Sequence, residues 1–382
     1  MNRIKVMSVF GTRPEAIKMA PLCRLLAEQP EMEHVCVVTG QQRDLLPPIL
    51  EHFHLRPDYD LDIMQPSQTL TSITEKTIKG LEPVLQSEKP DVLLCHGDTS
   101  TAFASALAAF YQKVPVGHVE AGLRTYDMQS PFPEEMNRTL IGHLATFHFA
   151  PTARNRDNLI AERISENIFV TGNTVIDAIH QTVTPGYEFD PSVFEKILQP
   201  GQKIVLMTAH RRENYGEPLE NICRAALALA QRYPELTIVY PVHPSPVVKN
   251  TAQGILAGQP NVFLIDPLDV LPMHQLMDRS HFIMTDSGGL QEEAPALGKP
   301  VLVLRKETER PEAVEAGTAV LAGIEAARIV ELGTALMEDS AFYDSMAKAR
   351  NPYGDGQASR RIAQALLWHF GLAQEAPQEF AP

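Results

Sequence analysis

Short apolar runs with no internal polar alternation recur along the chain, and each is followed by a stretch with helical spacing. IKVMSVF, HVCVVTG, DVLLCHGD, VPVGHVEA, FHFAPT and IFVTGN form a first series; KIVLMTAH, TIVYPVH, VFLID, FIMTDSG and PVLVLR form a second. A strand that is apolar on both faces has to be covered on both, and parallel strands joined by crossover helices meet that demand. The rhythm therefore predicts two doubly wound, Rossmann-like α/β domains facing one another across a cleft that holds a ligand. It is also compatible with two independent domains.

The expected boundaries are 1–172 for the first domain and 173–356 for the second. Where they join, TVTPGYEFDPSVFEKILQPGQ loses the rhythm, collects proline and glycine, and reads as a linker. QASRRIAQALLWHFG predicts a closing helix over 357–372, and residues 373–382 read as a disordered tail.

Composition narrows the function. A formal net charge of −14 argues against a nucleic-acid surface, because phosphate backbones are met by basic stripes. No apolar run approaches the ~18 residues of a membrane span, and IKVMSVF begins without a separable signal sequence. Cys23, Cys36, Cys95 and Cys223 lie in apolar contexts without C-x-x-C spacing. That suits reduced thiols in a cytoplasmic protein.

Chemistry concentrates between His96 and Arg138. Asp98 ends DVLLCHGD and Glu120 ends VPVGHVEA, so both emerge at the carboxyl edge of a parallel sheet, where such folds bind ligands. TSTAFASALAAFYQ between them reads as a helix capped by Thr99 or Ser100. Glu134 follows the proline-studded loop SPFPEEMNR. Acids converging on one edge repel, which calls for a cationic ligand, a metal or acid/base work. The plainer alternative makes Asp98 and Glu134 helix-start acids and Glu120 a turn residue. His96 with Asp98, and His118 with Glu120, have the i, i+2 spacing that puts side chains on one strand face. A metal is not expected there, since ligation would consume the acids.

Cationic and glycine-rich turns suggest a phosphate. In GTRPEAIK, Gly11 permits a tight turn, Pro14 suits a helix start, and Arg13 and Lys18 supply charge. A G-x-G-x-x-G dinucleotide fingerprint is missing. FIMTDSGGLQEE delivers Ser287, Gly288 and Gly289 to a helix start, where bare N–H groups favour an anion. Glu292 and Glu293 would oppose that anion if both faced it, and Glu293 suits a ribose diol. His210 ends KIVLMTAH beside Arg211 and Arg212, and Arg310 follows PVLVLR, with ion pairs to Glu307 or Glu309 as its dull alternative.

Taken in order, GTRPEAIKMAP, HGDTSTAFASALAAFYQKVPVGHVEAGLRT, SPFPEEMNR, TGNTVIDA, TAHRREN, YPVHPSP, TDSGGLQEEAPALGKPVLVLR, TERPEAV and NPYGDG closely resemble the non-hydrolysing UDP-N-acetylglucosamine 2-epimerases. The resemblance runs from about residue 3 to 366. It implies the two-domain glycosyltransferase B-type fold, a final helix crossing back to the first domain, a homodimer and no cofactor. It also implies reversible epimerisation at carbon 2 of UDP-N-acetylglucosamine, supplying bacterial surface polysaccharide.

Asp98, Glu120, Glu134 and His210 match the family's catalytic positions. Arg13, Lys18, Ser287, Gly288, Gly289, Glu293 and Arg310 match its nucleotide-binding ones. Leu268 and Met273 stand where relatives carry glutamine and phenylalanine near the uracil. A second UDP-N-acetylglucosamine is implied as activator near Gln41, Gln42 and Arg43, with Gln42 replacing a histidine common in relatives. Beside this reading stand a glycosyltransferase of the same fold, a hydrolysing epimerase, an epimerase of a related UDP-diacetamido sugar, and a non-catalytic UDP-sugar sensor.

Overall fold

The computed structural model describes residues 3–382. The chain divides into two compact units: residues 1–178 with 354–381, and residues 179–353 with 382.

In the first unit, seven parallel strands form one sheet: β1 (Ile4–Phe10), β2 (Met32–Val38), β3 (Tyr59–Asp60), β4 (Val92–His96), β5 (Val116–Val119), β6 (Phe147–Ala150) and β7 (Ile168–Val170). Their order is β3-β2-β1-β4-β5-β6-β7. In the second, six parallel strands are β8 (Lys203–Thr208), β9 (Leu236–Pro241), β10 (Val262–Ile265), β11 (Ser280–Thr285), β12 (Val301–Val303) and β13 (Ala319–Leu321). Their order is β10-β9-β8-β11-β12-β13. Central strands are apolar on both faces because helices cover both: Val6, Met7, Val9 and Phe10 of β1 are all fully buried, as are Phe282, Ile283 and Met284 of β11. In each sheet the winding direction reverses once, between β1 and β4 and between β8 and β11. Loops leaving the strands at such a reversal diverge to opposite faces and leave a crevice.

Two stretches differ from expectation. The proline- and glycine-rich segment at 182–202 is packed into the second unit, not strung as a linker. Its aromatic residues anchor it: Phe189 packs edge-on to Tyr187 and tilted against Phe194, the Arg279 guanidinium lies 4.7 Å over the Phe189 ring, and Phe194 is buried. The segment 373–382, expected to be disordered, is also seated. Phe380 is buried, its N–H donates to the Val170 carbonyl at 2.8 Å, and the Val170 N–H donates to Glu379 Oε1 at 3.3 Å. The tail thereby covers the open edge at β7, whose backbone groups would otherwise need water.

The helix Ala358–His369 belongs to the first unit and packs on the helix Arg13–Glu28. Asp177 accepts the N–H groups of Ala358 and Ser359, at 3.1 and 2.8 Å, in place of a local cap. Asp177→Ala is expected to cost about 1–3 kcal/mol, the scale of hydrogen bonds to a charged group. Urea unfolding followed by far-UV circular dichroism measures it, and an unchanged midpoint would discard this anchoring role.

Candidate active site

At the first reversal, β1 ends in Gly11-Thr12-Arg13 and β4 ends in Gly97-Asp98-Thr99. Gly11 is required: a Cβ there would lie 2.0 Å from Thr39 Oγ1. Glu15, three residues after the Thr12 cap, is buried and binds both loops. Its Oε2 accepts the N–H of Gly11 and Thr12 at 3.1 and 2.8 Å, and its Oε1 accepts the Thr99 hydroxyl at 2.7 Å. Thr99 in turn caps the helix Ser100–Tyr111 by accepting the Ala102 N–H. Asp98 is thus presented on a turn held from behind.

Glu120 follows β5 with φ of 64°, a left-handed conformation costly for a non-glycine residue. The kick ends strand alternation, so Glu120 and His118 do not share a face as their spacing suggests. His118 turns inward with Nε2 2.7 Å from the Gly97 carbonyl oxygen, and burial pushes its pKa down to about 3. Glu120 instead meets Lys18, which forms an ion pair with Oε2, His96 Nε2 at 3.3 Å and Asn173 Nδ2 at 3.2 Å. Burial acts to raise the Glu120 pKa, yet Lys18 and then His96 outweigh it and hold it well below the carboxylate range. Asp98 goes the other way. Burial raises its pKa, Arg138 opposes, and the negative charges of Glu120 and Glu134 add to the rise. Glu134 opens the helix Glu134–Leu144, so it is a helix-start acid and also lies within electrostatic reach of Asp98. The structure brings Lys18, Asp98, Glu120 and Glu134 together.

At the second reversal, β8 leads to His210-Arg211 and β11 to Asp286-Ser287-Gly288. Asp286 is fully buried, and its Oδ2 accepts the N–H groups of His210 and Arg211, both at 2.8 Å, and Asn214 Nδ2 at 3.0 Å. His210 Nδ1 lies 3.4 Å from Asp286 Oδ1, and the His210 ring stacks on His243 with centroids 5.6 Å apart. Burial lowers the His210 pKa, Asp286 opposes, and His243 and Arg211 reinforce the fall. A Cβ on Gly288 would approach the guanidiniums of Arg211 and Arg310 to 3.8 and 3.9 Å, so both cations stand over the glycine that starts the helix Gly288–Glu293. Glu292 is buried and forms an ion pair with Arg310; Glu293 lies 3.5 Å from His274 Nε2. The second unit therefore brings together His210, Ser287, Gly288, Gly289, Glu293 and Arg310.

Other expected residues lie at the margins. Gln42 Oε1 accepts the Arg13 N–H at 3.0 Å and Gln41 Oε1 accepts the Thr101 hydroxyl at 2.8 Å, so both brace the β1 turn. Arg43 pairs with Asp62 at the surface, at 2.9 Å. Leu268 and Met273 are half-buried beyond β10. Sequence reasoning missed Glu15, Arg138, Asn173 and Asp286. Two had legible signals: Glu15 completes a capping box with Thr12, and Arg138 is one helical turn beyond Glu134.

Acidic groups of divergent basicity gather at the reversal of the first unit, and guanidiniums stand over a helix-starting glycine at the reversal of the second; α/β enzymes of the doubly wound class bind their ligands at such reversals. The comparisons sharpen this. A family model described as UDP-N-acetylglucosamine 2-epimerase matches residues 24–367. The UDP-N-acetylglucosamine 2-epimerase of Bacillus subtilis is 51% identical over 381 residues, covering 100% of this chain and 99% of its own. That of Escherichia coli is 53% identical over 369 residues, covering 95% and 98%. The Neisseria meningitidis UDP-GlcNAc 2-epimerase, solved bound to UDP-GlcNAc, superposes with a TM-score of 0.83 at 48% identity, over 96% of this chain and 100% of that one. The chain belongs to the UDP-N-acetylglucosamine 2-epimerase family and is an isomerase with an α/β fold of the glycosyltransferase B type.

Glu120 contributes stability as an anion. Because its folded pKa is depressed, that contribution is present above the unfolded value near 4.3 and is lost as pH falls through the folded one. Lys18→Met strands the buried charge and is expected to cost about 3 kcal/mol at pH 7. Adding Glu120→Gln should restore most of the loss. Urea unfolding of the single and double variants checks this, and additive losses would show that the pair is not coupled.

Proposed function

We propose that this enzyme reversibly interconverts UDP-N-acetylglucosamine and UDP-N-acetylmannosamine without releasing free sugar. The observation that carries the reading is the split between Glu120 and Asp98, one carboxylate held down by Lys18 and His96 and its neighbour raised by burial. Sites that take and return protons push the basicities of adjacent acids apart.

The proton on carbon 2 of the intact sugar is not acidic, so abstraction alone does not suffice. In the proposed route the bond from carbon 1 to the UDP oxygen breaks and its electron pair leaves with UDP. The carbon 2 proton passes to a carboxylate, and its electron pair closes a double bond to carbon 1, giving 2-acetamidoglucal. A proton is then delivered to the opposite face of carbon 2, and UDP attacks carbon 1 again. Asp98, Glu120 and Glu134 carry or stabilise the proton transfers; His210, Arg211 and Arg310 offset the charge growing on UDP. Arg13, Ser287, Gly288, Gly289 and Glu293 bind the nucleotide, with Leu268 and Met273 beside the base. We extend the proposal to a homodimer, to a second UDP-N-acetylglucosamine acting as activator near Gln41, Gln42 and Arg43, and to a product used for surface polysaccharide.

Incubation with UDP-N-acetylglucosamine and no acceptor, followed by proton NMR, tests the function. Epimer with UDP still attached supports it; free sugar plus UDP indicates hydrolysis, and no reaction leaves a binding protein. In heavy water the epimer should carry deuterium at carbon 2, whereas full retention of the original hydrogen rules out elimination. Asp98→Asn, Glu120→Gln and Glu134→Gln are each expected to lower kcat by about 100-fold or more, the scale of a positioned acid or base.

A further inference from the structure

We propose that Arg138 is a positioning residue for proton transfer, gripping Asp98 by one carboxylate oxygen, with Glu135 as the strut that aims it. The proposal rests on the epimerase reading above and assigns a role to two residues that the motif comparison leaves without one.

The geometry is specific. Arg138 Nη2 lies 2.8 Å from Asp98 Oδ2, while Nη1 lies 3.4 Å from Glu135 Oε2. Glu135 is itself immobilised: it is buried, and its Oε1 accepts the N–H groups of Thr125 and Tyr126 at 3.0 and 2.8 Å. Asn137 Nδ2 donates to the Asp98 carbonyl oxygen at 2.8 Å. Glu134, Asn137 and Arg138 have the i, i+3, i+4 spacing that places side chains on one helix face. A single turn of the helix Glu134–Leu144 therefore holds Asp98 by side chain and backbone, and sets its distance from Glu134.

The short contact is to Oδ2, and we assign the proton exchange to the other oxygen, Oδ1. In the elimination direction the carbon 2–hydrogen bond breaks and an Oδ1–hydrogen bond forms. The carbon 2 electron pair becomes the new double bond as UDP departs, so charge and atoms balance. The charges acting most strongly on Asp98 are Lys18 from the helix Arg13–Glu28, Glu120 from the end of β5, and Glu134 and Arg138 from the helix Glu134–Leu144. Two are cations and two are anions, so losing Arg138 leaves a buried acid with more negative than positive neighbours.

The test uses the full-length protein and follows epimerisation of UDP-N-acetylglucosamine in both directions across pH. Arg138→Met is expected to lower kcat by about tenfold or more and to move the limb of the kcat/KM profile set by Asp98 upward by about one to three pH units, the reach of a close opposite charge. The sign is the same whether Asp98 acts as base or, in reverse, as acid, because its pKa rises in either role. Arg138→Lys should return the limb towards its original place while restoring turnover only partly, since a lysine cannot reproduce the two-point fork. Glu135→Gln keeps an acceptor for Thr125 and Tyr126 but turns an amide NH2 towards Arg138 in place of the anion that aims it, so the limb should move upward by less than in Arg138→Met, and this variant carries the test if the methionine protein does not fold. A merely structural role gives equal losses in all variants with an unmoved limb while UDP still binds by calorimetry, and that result overturns the proposal. Absence of turnover in the parent protein would defeat the epimerase reading alone. In that case carbon-13 NMR of the Asp98 carboxyl decides: a midpoint raised in Arg138→Met supports the grip, and an unmoved one refutes it.

Discussion

A buried carboxylate at each sheet reversal ties together two loops that the topology drives apart. In the first unit Glu15 accepts backbone hydrogen from the β1 loop and a hydroxyl hydrogen from the β4 loop. In the second, Asp286 sits on the β11 loop and accepts backbone hydrogens from the β8 loop. A charge without water is expensive unless its lone pairs are met, so each clamp persists only while both loops keep their places. Burial raises the Glu15 pKa, and the surrounding donors work against that rise. Asp98 and Arg13 hang from one clamp; His210, Arg211 and Gly288 hang from the other.

At the first reversal, similar groups have unequal surroundings. Glu120 is kicked into a left-handed conformation that delivers its carboxylate to Lys18, His96 and Asn173. Asp98, on a neighbouring strand end, meets the Arg138 guanidinium, the charge of Lys18 and two anions. The strain at Glu120 is offset by Lys18 and Asn173 donating to one oxygen, with His96 Nε2 3.3 Å from it, and the result is a pair of carboxylates with opposite tendencies.

Much of this was legible in the residue order. Doubly apolar runs such as DVLLCHGD are uncommon outside parallel sheets, and their alternation with helical spacing specified both α/β units. Gly11 and the run TDSGGLQEE marked the turns because few other residues permit them. Position at a strand end marked Asp98, Glu120 and His210. Illegible were the groups whose role lies in reaching another segment. Asn173 is 53 residues from the Glu120 carboxylate it contacts, and Asp177 caps a helix that begins 181 residues later. The segment at 182–202 and the tail were misjudged for the same reason, since their anchoring aromatic residues, Phe189, Phe194 and Phe380, declare themselves only against the surfaces that receive them.

By itself, then, the sequence determined the architecture, the places of the glycine-bearing turns, the acids at the strand ends of the first unit and the family. These follow from local requirements: period, backbone conformation and the chemistry of short motifs. Only the tertiary structure decided which acid is held ionised and which is raised, that His118 faces inward, that Glu292 turns to Arg310, and that Arg138 pairs with Asp98. Proton affinity depends on burial and on charges within a few ångströms, and those distances exist only after remote strands have been brought side by side.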